Sequence, residues 1–343
     1  VRRFATVIVA VVAVLLTGGG WVLVANDYAL REERVSIPFD GGVLDGILAT
    51  PPEPGPRPAG LVVFVHGDGP VDATAAGFYR PIWESLAAAG YASLSWSKAG
   101  VGASTGNWLH QSLGDRAREV GAAVDWAARR PGIDRRRIGL WGASQGGWVV
   151  PGVAAGRDDV TFVIAASPAV NWLRQGRYNL LAELEHDGVD AAGRAAAVAA
   201  ADRTRELLER GASWREYRAA TLETHPMTEA RWGFVMRNFR ADATADLTAM
   251  GRRGVPTLLL LGEDDRNVDA DETERTYRDL LGDALTVRRF PGAAHSLART
   301  DVEDDAVWGT IVGVMAPRRV FADGYLEAQR DFLARLPADD GRE

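Results

Sequence analysis

Apolar residues in this chain come in short continuous runs, at Gly60 to Val65, Tyr91 to Ser97, Arg137 to Trp141, Val160 to Ala166, Pro256 to Leu261 and Leu285 to Phe290. Between them lie segments with helical patterning: Tyr79 to Ala89, Leu113 to Arg130, Gln145 to Ala155, Asp271 to Leu281 and, last, Tyr325 to Leu336. Strands that are apolar throughout must be covered on both faces, so the alternation predicts a mostly parallel sheet flanked by helices. Ahead of it, Arg34 to Phe39 and Val43 to Ala49 alternate loosely about Asp40-Gly41-Gly42, the pattern of a β-hairpin. A Pro-rich surface link follows at Pro51 to Pro58.

One interval breaks this rhythm. Residues 169–255 are rich in Ala, Arg, Glu and Trp and contain good helix formers but no clear strand. Structureless stretches of that length are uncommon, so the interval predicts a helical cap inserted into a core formed by residues 33–168 and 256–343. Trp172, Tyr178, Trp214, Tyr217, Trp232 and Phe234 lie in it, and most are expected to pack the cap against the sheet rather than line a substrate pocket.

The N-terminus has a different pattern. After Arg2 and Arg3, residues Phe4 to Ala25 carry no charge, about the ~20 residues that span a bilayer as a helix. Arginines before the run, with Asp27, Glu32 and Glu33 after it, predict that the rest of the chain lies on the extracytoplasmic side. Residues 1–26 therefore read as a membrane anchor in preference to a cleaved signal peptide, because Leu23-Val24-Ala25 is a poor cleavage site. Secretion after cleavage is the alternative.

Composition narrows the function further. The chain has 343 residues, 25% of them charged, and a net charge of -7 with no basic block after the N-terminus, which gives no footprint for nucleic acid. The absence of cysteine excludes disulfides, thiolate metal sites and a Cys nucleophile.

Gly142-Ala143-Ser144-Gln145-Gly146 matches GxSxG, directly after a strand and opening a helical segment. In that setting a strained turn presents the serine hydroxyl, and free N–H groups at a helix start can face an oxyanion. A serine hydroxyl needs a base within hydrogen-bond reach. His295, in the small-residue loop after the last strand, has the strongest claim among five histidines. The acid should follow a strand between them, and Gly262-Glu263-Asp264-Asp265 supplies Asp265, with Asp264 next in line. Backbone N–H groups of Gln145 and of Asp68, in the turn His66-Gly67-Asp68-Gly69-Pro70, are the expected oxyanion donors.

Together with Ser97-Lys98-Ala99-Gly100-Val101-Gly102-Ala103-Ser104, these motifs resemble the α/β-hydrolase superfamily. They are most similar to bacterial esterases related to the dienelactone-hydrolase and prolyl-oligopeptidase catalytic domains. The resemblance spans about Val35 to Thr300 and implies an α/β-hydrolase fold and acyl transfer without metal or organic cofactor. Similar proteins usually carry Asp and Arg where this chain has Ser97 and Ala99, so an ion pair common there is expected to be missing. Asp68 stands where a neutral residue is frequent. Its carboxylate is expected to point away from the oxyanion site, with only its N–H facing it.

A small-molecule carboxylic ester is the expected substrate. Peptide, amide and thioester cleavage use the same triad, and a membrane-tethered binding protein on an inactive scaffold is the alternative from outside enzymology.

Overall fold

A computed structural model describes residues 20–55 and 57–336. Eight strands form one sheet: β1 (Arg31–Phe39), β2 (Gly42–Thr50), β3 (Ala59–Val65), β4 (Tyr91–Trp96), β5 (Ile133–Ala143), β6 (Val160–Ala166), β7 (Thr257–Gly262) and β8 (Leu285–Phe290). Their order is β1-β2-β4-β3-β5-β6-β7-β8. The β1–β2 and β2–β4 pairs are antiparallel and every later pair is parallel, as the continuous apolar runs require. This is the α/β-hydrolase fold. Asp40 and Gly41 close the β1–β2 hairpin with φ of 49° and 75°, the left-handed pair that a two-residue turn between twisted strands needs.

Successive side chains of each central strand feed two cores. Leu61, Val63 and Val65 of β3 join Leu140, Val163, Leu259 and Leu261 on one face. There α3 (Leu113–Ala127), α4 (Val150–Gly156), α9 (Thr244–Arg252) and α10 (Ala270–Leu281) cover them. Val62 and Phe64 join Trp141, Ile164, Leu258 and Leu260 on the other, under α2 (Arg80–Ala88) and α13 (Tyr325–Arg335). Burial on both faces explains why these strands show no polar alternation.

Between the neighbouring strands β6 and β7 the chain runs through α5 (Trp172–His186), α6 (Ala191–Glu209), α7 (Trp214–Ala220) and α8 (Glu229–Asn238) before α9. Tyr217, Trp232 and Phe234 are buried in a separate core of this insert, and Trp214 packs against it. Trp148, four residues past Ser144, stacks on Trp172 with ring centroids 4.8 Å apart and so joins the insert to the sheet.

Three features differ from the sequence reading. The strand read as Arg137 to Trp141 starts at Ile133. The helix expected from Gln145 begins instead as a 3₁₀ turn, Ser144–Trp148, and becomes α-helical only at Val150. Between His295 and Tyr325, where no element was expected, lie α11 (Thr300–Glu303) and α12 (Ala306–Met315). The sequence of α12, AVWGTIVGVM, has no polar face and so carries no amphipathic signal.

The expected transmembrane helix falls mostly on residues 1–19, outside the described residues; residues 20–25 are helical and are called α1. No helix among the described residues is long and apolar enough to cross a membrane.

Candidate active site

Asp68, Ser144, Gln145, Asp265 and His295 lie where strands β3, β5, β7 and β8 end, at the carboxyl edge of the parallel sheet. In doubly wound sheets that edge is where strand ends and helix starts leave a crevice.

Ser144 follows β5 with φ of 51°, in the left-handed region that a residue with a Cβ avoids at a cost of about 1–2 kcal/mol. The fold pays for this strain by close backbone packing: a Cβ at Gly146 would come 2.7 Å from the Val65 carbonyl oxygen, so only glycine fits there. At Gly67 a Cβ would lie 3.2 Å from that of Ser144, which places the loop after β3 directly beside the serine.

The acid and the base are joined by their loops as well as their side chains. His295 Nδ1 lies 2.8 Å from Asp265 Oδ2. The other oxygen of Asp265 accepts from the backbone N–H groups of Asn267 and Val268, at 2.7 and 2.8 Å. Its side chain is 1% exposed and that of His295 18%. The Asp264 N–H donates to the Ala293 carbonyl, stitching the β7 loop to the β8 loop. The Asp264 carboxylate turns instead to Thr300 Oγ1, at 2.6 Å, so geometry separates the two neighbouring aspartates.

Sequence reasoning missed the buried polar network under the loop after β3. Lys98, 3% exposed, donates from Nζ to the Gly67 carbonyl at 2.5 Å and lies 5.1 Å from the centre of the Trp108 ring. Arg116 donates to the Gln145 side-chain oxygen at 2.5 Å and to the His66 carbonyl at 2.6 Å. Glu119 accepts from Gln111 at 2.5 Å. Burial, and then the nearby Arg116 guanidinium, push the Lys98 ammonium well below its usual value; burial raises Glu119. Ser97, standing where an ion pair was expected to be lost, accepts the Ala73 N–H at 3.1 Å. The signal available in the sequence was Lys98 itself, a charge placed directly after a buried strand.

The Asp68 carboxylate has found partners. Arg231 of α8 binds it through both nitrogens, at 3.0 and 2.6 Å, and Gln145 Nε2 donates to it at 3.1 Å. Burial alone would raise this carboxyl, but the bond to Arg231 and its charge outweigh that and hold it below the usual carboxylate value. Among the described residues, the Asp68 backbone N–H has no protein acceptor.

A cavity of about 790 Å³ lies within the insert, lined by Trp172, Leu173, Leu208, Met227 and Val235 among others. Ser144, Asp265 and His295 are not in its wall, but two of its wall residues reach the site. Tyr178 donates its hydroxyl to the Asp265 carbonyl at 2.9 Å, and Arg231 holds Asp68. Of the sequence's six insert aromatics, Trp172 and Tyr178 line the cavity. No group of three or more His, Asp or Glu among the described residues could hold a metal.

His66, in the same loop, is structural. It is buried, with Nε2 2.5 Å from the Trp96 carbonyl and Nδ1 3.0 Å from the Tyr79 hydroxyl. A carbonyl only accepts, so Nε2 carries the proton and Nδ1 accepts from the tyrosine. Burial lowers the His66 pKa from 6.5 to about 3. Between those values the unfolded chain binds a proton that the native protein does not, so stability is lost as pH falls from 6.5 towards 3. Urea titrations from pH 7 to 4 are expected to show a decline of up to about 1.4 kcal/mol per pH unit from this group. That component should vanish in His66→Gln; an unchanged slope would show that His66 is not the acid-sensitive group.

Residues 56–302 match the family described as serine aminopeptidase, S33 (Hydrolase_4). An uncharacterized peptidase, YuxL, of Bacillus subtilis (strain 168) is 26% identical over 297 residues; the alignment covers 80% of this chain but only 38% of that relative. Among solved structures, the α/β hydrolase GrgF from Penicillium sp. sh18 superposes with a TM-score of 0.55 at 18% identity, over 89% of this chain and 99% of the other. Est1E from Butyrivibrio proteoclasticus, solved with ferulic acid, gives 0.55 at 18% identity over 88% and 96%. The Pyrococcus furiosus esterase Pf2001 gives 0.52 at 17% over 89% and 93%. At these identities the structural likeness establishes the fold.

Proposed function

The chain belongs to the serine aminopeptidase S33 family of α/β hydrolases, and from that premise we propose that it hydrolyses a carboxylic ester with Ser144 as nucleophile, His295 as general base and Asp265 as orienting acid. The observation that carries this reading is the strained Ser144 turn at the sheet edge that also receives the hydrogen-bonded His295–Asp265 pair.

In this mechanism the Ser144 hydroxyl attacks the ester carbonyl and passes its proton to His295 Nε2, while Asp265 holds the proton on Nδ1 and remains ionised. The tetrahedral oxyanion accepts from the N–H groups of Gln145 and Asp68. The leaving alcohol takes the proton from His295, and a water deprotonated by His295 then releases the acid and restores Ser144.

Lys98 serves this step from behind. In a trans peptide the C=O and N–H point in opposite directions, so a donor fixed on the Gly67 carbonyl fixes the direction of the Asp68 N–H and polarises it. Lys98→Met is expected to lower kcat on p-nitrophenyl acetate about 100-fold with little change in KM. An unaltered kcat would remove Asp68 from the oxyanion site.

The apolar part of the cavity wall suits an acyl or alcohol chain of moderate length. Its carboxylates Asp202 and Glu272 are neutralised by Arg177 and Arg174. One further carboxylate supports a second reading. Glu223 is held by the hydroxyls of Thr204 and Tyr217, at 2.6 and 2.8 Å, and pairs with no cation among the described residues, so its charge is available to a substrate ammonium, as an aminopeptidase needs.

Rates on p-nitrophenyl esters from acetate to palmitate, set beside aminoacyl p-nitroanilides, test the choice. Ester turnover with an optimum at intermediate length supports the main reading. Preference for free-amino anilides, lost in Glu223→Gln, would replace it with the second.

A further inference from the structure

An exposed surface helix normally turns polar side chains to water. In α12 the large side chains facing out are Val307, Trp308, Ile311, Val314 and Met315, with Val307 71% and Ile311 47% exposed, while Val312 is buried behind them. Their spacing puts them on one stripe of the helix. Beside them are Ala306 and a single hydroxyl, that of Thr310, which donates back to the Ala306 carbonyl. The helix contains no charged residue. Beside it, Trp21, Leu23 and Val24 of α1 are also exposed, Leu23 at 76%.

The two helices are joined. Trp21 Nε1 donates to the Met315 carbonyl at 2.7 Å and Asn26 Nδ2 to the Val314 carbonyl at 2.8 Å. The chain leaving α1 is then clamped to the core. Arg318 donates to the carbonyls of Ala25 and Asp27 at 2.7 and 2.8 Å while paired at 2.6 Å with Glu84, and Glu84 accepts the Ala29 N–H at 2.8 Å. The position of α12 relative to the end of the N-terminal apolar run is thus fixed by six polar contacts rather than left to a linker.

We infer that the outer face of α12 lies in the interface of a lipid bilayer, together with the exposed apolar side chains of α1. The uncharged run of the sequence from Phe4 to Ala25 ends in α1, whose exposed Trp21, Leu23 and Val24 lie alongside the α12 stripe and enlarge its apolar surface. Trp308 has its ring in the apolar stripe and its N–H on Asp301, 3.2 Å away, the half-apolar, half-wet setting that tryptophan takes at membrane surfaces. Around the stripe Asp301 pairs with Arg299, Asp304 with Arg266 and Glu84 with Arg318, while Asp305 caps α12 by accepting the Val307 and Trp308 N–H groups. Docking therefore rests on apolar burial and needs no anionic lipid. Both helices lie outside residues 56–302, the stretch that the family match covers, and the inference is independent of the catalytic reading.

The chain contains no cysteine, which makes single labelling direct. The full chain carrying Ile311→Cys, and separately Val307→Cys, each bearing an environment-sensitive fluorophore, is reconstituted into phosphatidylcholine vesicles. Asp158→Cys, a fully exposed position beyond α4 on the opposite face of the sheet, is the control. The expected result is blue-shifted emission at both α12 positions and about a twofold loss of intensity when doxyl-phosphatidylcholine is included, with the control unquenched. A blue shift without quenching would mean that protein covers α12, either residues 4–19 or a second copy, and would overturn the inference. Emission typical of water at both positions, or failure of the chain to float with vesicles, would overturn it equally.

Discussion

Ser144→Ala is expected to lower kcat on p-nitrophenyl acetate about 10⁶-fold, leaving only what binding and oxyanion donors supply without a nucleophile. Labelling by a fluorophosphonate should vanish with it. Stability separates loss of chemistry from loss of fold. Alanine at this position keeps the Cβ that makes φ of 51° unfavourable, so its unfolding free energy should stay close to that of the parent. Ser144→Gly relieves the strain and should unfold about 1 kcal/mol later than the alanine variant. Residual turnover within about tenfold of the parent would show that Ser144 is not the nucleophile.

Asp265→Asn is expected to lower kcat about 10⁴-fold with the loop intact. An asparagine oxygen can keep the N–H groups of Asn267 and Val268, which Asp265 Oδ1 now accepts at 2.7 and 2.8 Å. Its amide then faces His295 Nδ1 as a donor. The imidazole must carry its proton on Nε2, where it cannot receive one from Ser144. Asp264→Asn provides the comparison, because Asp264 serves Thr300 rather than His295; its effect should stay within about threefold. Equal losses in the two variants would mean that the acid acts through the shape of its loop rather than through His295.

The physical origin of the site's legibility differs from residue to residue. The Ser144 turn was readable because it leaves no room for a Cβ two residues either side of the serine: one at Gly142 would lie 2.6 Å from the Val150 side chain and one at Gly146 2.7 Å from the Val65 carbonyl oxygen. His295 and Asp265 were readable from their order after apolar strands, since a parallel sheet gathers strand ends at one edge. Choosing between Asp264 and Asp265 was a matter of side-chain direction. Only the tight turn after β7, with two N–H groups on one oxygen of Asp265, settles which carboxylate meets the histidine.

Asp68 shows the same division. Its charge in the loop after β3 was visible in the sequence, and the expectation was that the carboxylate points away from the site. The structure provides a partner 163 residues away, Arg231, which no local pattern could connect to it. Lys98 is a comparable case: its position after β4 is plain, but the role proposed for it follows from the Gly67 carbonyl 31 residues earlier.

By itself the sequence determined the layered parallel sheet, the hairpin at its edge and the three positions that carry the proposed chemistry, because these depend on periodicity and turn chemistry within a few residues. Tertiary structure alone decided the insert's cavity, the polar network under the loop after β3 and the joining of α1 to α12. Each of those depends on groups distant in the chain meeting at hydrogen-bond distance, and α12 in particular has no polar face from which its position could have been read.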